Sequence, residues 1–242
     1  MTGRVPQLWL VRHGESVANA AATRAEAEGL DAVPLDTRDA DVELSATGRE
    51  QAAALGDWIA ANGAGVEAFW VSPYLRARQT LAIARGEDAS PRALTDERLR
   101  DRELGVLDLL TSHGVERLLP AEAARRRRLG KLYYRPPGGE SWADVALRLR
   151  SFLHDALTGP PRSAMVVAHD AIVMLLLFLL LPMDEDELLR FAASHTVLNA
   201  SVTHVVRTDA GWELVDFAAV EHLRRADAPV TAHPGHPDVE PE

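Results

Sequence analysis

Three short apolar runs, Leu8–Val11 (LWLV), Glu67–Val71 (EAFWV) and Ala164–Ala168 (AMVVA), each end directly in polar or helix-starting residues. Runs this short and this nearly apolar throughout read as strands buried on both faces, the habit of parallel sheets. Helical stretches lie between them. Thr47-Gly48-Arg49-Glu50 has capping-box spacing and predicts a helix to about Asn62, punctuated by Gly63 and Gly65. Ser72-Pro73 predicts an N-cap and a proline at the first helical position, opening a helix to about Arg85. Ser141-Trp142-Ala143-Asp144 predicts another capping box, with Val145, Leu149, Phe152 and Leu153 marking one buried face to about Leu157. The alternation predicts an α/β fold: a three-layer sandwich whose mostly parallel, doubly wound sheet has helices on both faces. Ser201–Arg207 and Trp212–Phe217, around Asp209-Ala210-Gly211, read as a C-terminal edge hairpin.

Residues 1–226 are expected to form a single domain, with 108–139 as an inserted excursion that breaks the alternation. That stretch carries Arg125–Arg128, Lys131, Tyr133, Tyr134 and Arg135 and closes on Pro136-Pro137-Gly138-Gly139. Residues 227–242, rich in Pro, His, Asp and Glu without apolar periodicity, read as a disordered tail in which His233 and His236 are free. Ala171–Met183 is nearly all apolar but shorter than the roughly 20 residues a bilayer core demands, so a buried helix is expected and no membrane partner. The N-terminus lacks the cleavage pattern of a signal peptide.

Composition narrows the chemistry. Lys+Arg 26 against Asp+Glu 36 gives a net charge of −10, which argues against nucleic acid as a partner, because that affinity rests on cations displacing counterions. An anionic ligand must then be caught by a local basic pocket. With Cys 0, disulfides, thiolate metal sites, iron–sulfur centres and a cysteine nucleophile are excluded, and a cytoplasmic location is the simplest expectation.

Ligands of open α/β sheets bind at the carboxyl ends of the strands. The polar residues found there are Arg12-His13, Ser72 with Arg76, and His169-Asp170. Two histidines and two arginines from distant parts of the chain would thus meet in one crevice, where arginine forks and helix N-termini favour phosphate oxygens. Taken singly, His13 is a strand-end histidine, Arg76 a helix-surface arginine like Arg78, and Asp170 an N-cap of the apolar helix that follows. Ser141, preceded by Pro136-Pro137 rather than by a strand, reads as a helix cap and not as a nucleophile.

LVRHGES (Leu10–Ser16) with Asn19 resembles the RHG signature of the histidine phosphatase superfamily, the phosphoglycerate-mutase-like fold. The resemblance continues in order through LSATGREQA (Leu44–Ala52), SPYLRARQT (Ser72–Thr80), LRDRELG (Leu99–Gly105), PGGES (Pro137–Ser141), VVAHD (Val166–Asp170) and NASVT (Asn199–Thr203). It implies that His13 is the nucleophile that becomes phosphohistidine, that Arg12, Arg76 and His169 bind phosphoryl oxygens, and that Asn19 adds a contact. No metal and no cofactor are expected. The family's proton donor lies four residues before a glycine, which counting back from Gly105 gives Asp101, an Asp where Glu is usual. Asp170, whose His-Asp pairing resembles the acid phosphatase branch, ranks second, and Glu103 third. The resemblance implies a metal-independent phosphomonoester hydrolase acting on a small phosphorylated substrate, with a phosphoprotein left open. Two alternatives stand beside it. A phosphoglycerate-type mutase would need further basic groups such as Arg125–Arg128, Lys131 and Arg135, and a catalytically silent phospho-ligand or protein-binding module would need no proton donor.

Overall fold

The computed structural model describes residues 6–62, 65–86, 89, 92–158 and 163–233. In chain order they form β1 (Gln7–Arg12), α1 (Val17–Ala27), α2 (Ala46–Asn62), β2 (Ala68–Val71), α3 (Leu75–Arg85), β3 (Leu94–Thr95), α4 (Ser112–Leu118), α5 (Pro120–Tyr133), α6 (Trp142–Leu157), β4 (Ser163–Ala168), α7 (Asp170–Leu180), α8 (Glu185–Ser194), β5 (Val202–Thr208), β6 (Gly211–Ala219) and α9 (Glu221–Arg225). Among the described residues the strands make one six-stranded sheet in the order β3-β2-β4-β1-β5-β6. Neighbours from β3 through β1 run parallel, while β5 runs antiparallel to β1 and continues into β6 as the expected hairpin.

The apolar runs are continuous because each strand serves two cores. Leu8 and Leu10 of β1, Trp70 of β2 and Ala164, Val166 and Ala168 of β4 face α6 and α7, whose Leu149, Phe152, Ile172, Leu175 and Leu176 complete that layer. Trp9 and Val11, Phe69 and Val71, and Met165 and Val167 point the other way, onto Leu55 of α2 and Ala77 and Leu81 of α3. The strand period of two thus sorts the same runs into both halves of a three-layer sandwich. The apolar run after His169 becomes α7, buried under the sheet, and among the described residues no helix is long and apolar enough to cross a membrane.

Residues 108–139 contain α4 and α5, which enclose a satellite cluster of Leu107, Val115, Ala123 and Tyr134. Gly130, at φ +72°, kinks α5. The closing Pro-Pro-Gly-Gly turn returns to the loop that precedes the excursion, where Val106 N donates to Pro137 O and Glu140 N donates to Glu103 O.

Three local expectations need correction. Helix α2 begins at Ala46, where Ser45 rather than Thr47 supplies the cap: its Oγ accepts from Gly48 N and donates to Glu15 Oε1, so one hydroxyl serves two partners. Helix α3 begins at Leu75 because the Ser72 hydroxyl is engaged by His169 Nε2 and does not cap the helix. Asp170 is the first residue of α7 and not its N-cap; His169 holds that place and Asp170 Oδ1 accepts from the adjacent Ala171 N. The capping box at Ser141 and Asp144 forms as expected. Gly63 lies outside the described residues.

The disordered tail does not hold for 227–233. Pro229 O accepts from Gln51 Nε2, Thr231 exchanges bonds with Asn199, and His233 O accepts from Arg12 Nη2. His233, expected to be free, also places its ring nitrogens against Thr23 and Glu15. The segment docks through hydrogen bonds, for which hydrophobic periodicity carries no signal. His236 and the rest of 234–242 lie outside the described residues.

Between β1 and α2 the main chains touch. A Cβ on Gly48 would lie 2.0 Å from Glu15 O, and one on Gly14 would lie 2.5 Å from Gly48 O. Alanine for glycine inside a helix ordinarily gains about 0.5–1 kcal/mol, but this backbone collision reverses the sign. Gly48→Ala is expected to cost about 3 kcal/mol, a fall in melting temperature of roughly 6–12 °C for a domain of this size. Calorimetry checks it, and an unchanged or raised melting temperature refutes the close approach.

Candidate active site

The sheet's register builds the site. Arg12 pairs with Ala168 and Val71 with Val167, and the ladders extend one step further as His13 N donates to Ala168 O and Ser72 N donates to Val167 O. His13, Ser72 and His169 therefore leave three adjacent strands at one edge. Helix α3 then carries Arg76 over them. Arg12, His13, Arg76 and His169 are all at most 4% exposed.

His13 is held from both ends of its ring. Its Nδ1 lies 2.6 Å from Gly14 O, an acceptor only, so Nδ1 carries the proton. Its Nε2 accepts from Arg76 Nε at 3.2 Å, which leaves that nitrogen unprotonated. Burial, then the charges of Arg76, His169 and Arg12, hold the ring well below the usual histidine range, against the opposing Gly14 carbonyl. The result is a neutral imidazole with its lone pair turned toward Arg76. The His13 carbonyl accepts from Ala200 N and Asn199 Nδ2, each at 3.2 Å. Ala200 pays for that contact with φ +52°, a left-handed conformation that is costly with a Cβ, and its carbonyl is bound in turn by His222 Nε2.

Arg12 donates through Nη1 to Val197 O and through Nη2 to His233 O, while its buried Nε has no partner. An orphaned donor on a buried cation is where an anion's oxygen fits. Burial lowers the Arg12 pKa, against the attraction of Asp170 and Asp101.

His169 Nε2 lies 2.8 Å from Ser72 Oγ, and its Nδ1 lies 3.1 Å from Asp101 Oδ2 without hydrogen-bond alignment. Burial pulls His169 below the usual range, against Asp101. For Asp101, burial opposes ionisation, but His169, Arg76 and the Arg102 N–H outweigh it and hold the carboxyl well below the carboxylate range. The direction we rely on for this pair is an ionised Asp101, because Arg76 Nη2 sits 3.0 Å from its Oδ2. Burial works against the Arg76 cation as well, and Asp39 and Asp101 more than offset it.

Of the three candidate acids, Asp101 alone places a carboxylate oxygen against two of the four buried side chains, Arg76 and His169. Glu103 Oε1 accepts instead from Tyr74 Oη at 3.0 Å, and Asp170 Oδ1 is held by Ala171 N. Asn19 completes a capping box with Ser16 at the start of α1 and reaches Asn199 Nδ2 at 3.4 Å, so it touches the site through Asn199. Three basic residues of the excursion are engaged locally: Arg127 pairs with Glu116, Arg135 with Asp144, and Lys131 lies 4.6 Å over the Trp142 ring.

Several contributors carried no signal in the sequence. Arg148 of α6 donates to the carbonyls of Arg98, Arg100 and Asp101 and to Glu140, which fixes the Asp101 loop. Thr80 Oγ1 accepts from Gly14 N and donates to Arg76 O, tying the loop after His13 to α3. Glu15 is buried between Ser45 and His233, and Asp39 reaches Arg76. Among the described residues no group of three or more His, Asp or Glu side chains is placed to hold a metal ion.

The chain is 31% identical over 191 residues to a glucosyl-3-phosphoglycerate phosphatase of Mycolicibacterium vanbaalenii, covering 76% of this chain and 77% of that one. It is 29% identical over 211 residues to a probable phosphoglycerate mutase of Yersinia enterocolitica, covering 85% and 87%. The solved structure of mycobacterial glucosyl-3-phosphoglycerate phosphatase with VO3 superposes with a TM-score of 0.69 at 26% identity, over 89% of this chain and 100% of that one. The sequence model of the histidine phosphatase superfamily, branch 1, matches residues 8–220, a span that runs from β1 to just past β6 and includes every segment meeting at this crevice except the docked stretch 229–233. By that match, the chain belongs to branch 1 of the histidine phosphatase superfamily.

Proposed function

We propose that this protein is a metal-independent phosphomonoester hydrolase that passes the phosphoryl group through His13. The observation that carries the proposal is the unprotonated His13 Nε2, buried and facing Arg76 Nε at 3.2 Å. In the first step that nitrogen attacks phosphorus in line, the N–P bond forms, the P–O bond to the leaving group breaks, and the departing oxygen takes a proton. Arg12, Arg76 and His169 hold the equatorial oxygens, supplying the positive charge such a transfer needs. In the second step water attacks the phosphohistidine, gives a proton to the carboxylate left by the first step, and releases phosphate and free His13.

Asp101 is the proposed proton carrier. Before substrate arrives it is ionised by its cationic neighbours. A phosphoryl dianion drawn onto Arg12 and Arg76 competes for those cations and sets a like charge beside the carboxylate, which raises its pKa. The proton enters from solvent, to which the side chain is 22% exposed.

The proposed substrate is a small phosphorylated metabolite, turned over in the cytoplasm; the 31%-identical relative named for glucosyl-3-phosphoglycerate supports a sugar-type ester. The relative named as a probable phosphoglycerate mutase supports a mutase as the second reading. The engagement of Arg127, Arg135 and Lys131 within the excursion and α6 weighs against it. A silent binding module would have no use for a carboxylate set against the phosphoryl cradle.

The test is a leaving-group series in the presence of chelator, run beside a 3-phosphoglycerate mutase assay. Wild type is expected to hydrolyse both alkyl and aryl phosphates. Asp101→Asn should slow the alkyl ester roughly a hundredfold or more and the aryl ester far less, because a phenolate departs without help. If that selectivity appears in Asp170→Asn or Glu103→Gln instead, the acid is assigned to the wrong residue; mutase turnover without hydrolysis overturns the hydrolase.

A further inference from the structure

Every N–H of the Arg76 guanidinium is taken. Nε donates to His13, Nη1 to Asp39 O at 2.6 Å and Oδ1 at 2.9 Å, and Nη2 to Asp39 Oδ2 at 3.3 Å and Asp101 Oδ2 at 3.0 Å. Arg76 cannot hold a phosphoryl group until a partner leaves. The partners are unequal in what holds them. Asp101 sits on a loop fixed by Arg148 and by the Arg102–Glu140 contacts. Asp39 opens a single 3-10 turn, Asp39–Asp41, without a side-chain cap, and its side chain is 40% exposed.

Asp39 gives the arginine fork a two-pronged anionic ligand across both terminal nitrogens, the same geometry that phosphate offers. Arg12 Nε, buried and unpartnered, supplies the rest of an anion site that the carboxylate leaves unfilled. Resting on the hydrolase reading above, we propose that Asp39 is a specificity-determining residue whose carboxylate occupies the phosphoryl position on Arg76 and is exchanged for the substrate's phosphate.

The exchange compares charges. A monoanion such as a phosphodiester replaces a carboxylate that is already tethered at the site, and gains little. A dianionic monoester brings a second charge to buried cations and wins the exchange. The displaced Asp39 then stands at the mouth near Asp108, whose pKa is raised by burial and by the charges of Asp39 and Glu103. A carboxylate there repels a leaving group that is itself anionic and accepts hydrogen bonds from one bearing hydroxyls. The substrate class this selects is a phosphate monoester of a neutral polyhydroxy compound.

The test is calorimetric titration of the full chain with inorganic phosphate and with dimethyl phosphate, a monoanion. If the open arginine is about a tenth populated, releasing it recovers about tenfold in affinity. Asp39→Asn and Asp39→Ala are expected to tighten phosphate by about that factor, and dimethyl phosphate with it, because both ligands must first displace the same carboxylate. Asp41→Asn, on the same turn but 64% exposed and 4.0 Å from Arg38, should leave both affinities as in wild type. Unchanged or weakened phosphate binding in both Asp39 variants overturns the proposal. Hydrolysis by wild type, measured on the same samples, keeps the two readings apart. Turnover with no tightening removes the role of Asp39 alone, whereas tightening without turnover leaves Asp39 in place and removes the hydrolase.

Discussion

Replacing His13 with alanine is expected to lower phosphomonoester turnover by about ten-thousandfold or more, because it removes the proposed nucleophile and the other buried imidazole, His169, has its Nε2 engaged with Ser72 Oγ. The signature is chemical as well as kinetic. Brief exposure to substrate followed by denaturation should leave an acid-labile phosphate on wild type and none on His13→Ala. The buried ring, pressed below the usual range by burial and neighbouring cations, stays neutral as the pH falls past 6.5, so the acid limb of turnover should not be set by this histidine at its ordinary value. Circular dichroism separates the loss from unfolding. A folded His13→Ala protein with substantial turnover would remove the phosphohistidine from the mechanism.

Arg76→Ala carries the second large effect, on the order of a hundredfold or more in turnover, by comparison with loss of a single preorganised donor to a developing oxyanion. It also leaves Asp39 and Asp101 without the cation between them. Because Asp39 is partly exposed, we expect roughly 2 kcal/mol of stability lost, less than for a fully buried pair. Arg76→Lys separates the two contributions: it restores the charge, and hence most of the stability, without restoring the fork, and so should remain far slower than wild type. Arg78, two residues on and exposed, should tolerate alanine with little change. Equal losses at both positions would mean that α3 does not present Arg76 to the crevice.

How much of this was legible beforehand depends on the kind of interaction. β1, β2 and β4 were readable because each is an unbroken apolar run, and strand ends then pointed to Arg12, His13 and His169. β3, only Leu94–Thr95, is too short to show a pattern. The start of α3 is illegible because the Ser72 hydroxyl goes to His169, distant in sequence, whereas α2 has a local cap, Ser45 to Gly48 N, that lies two residues before the Thr47 favoured by the box spacing. Asp39 lies 37 residues from Arg76 in a stretch without periodicity, so no local rule aims it at the guanidinium. Arg148 reads as the polar face of α6, and only its bonds to consecutive loop carbonyls reveal what it fixes.

The docked segment 229–233 bears on how the protein should be produced in the laboratory. The family match stops at residue 220, and an expression fragment trimmed there would look complete by homology. Such a fragment would lack the carbonyls of Pro229, Thr231 and His233, which accept from Gln51, Asn199 and Arg12. Arg12 would then enter the crevice with an additional unmet donor, held from behind by Val197 O alone. A purification tag joined close after His233 places its burden on the same contacts, so the opposite end of the chain is the safer place for one.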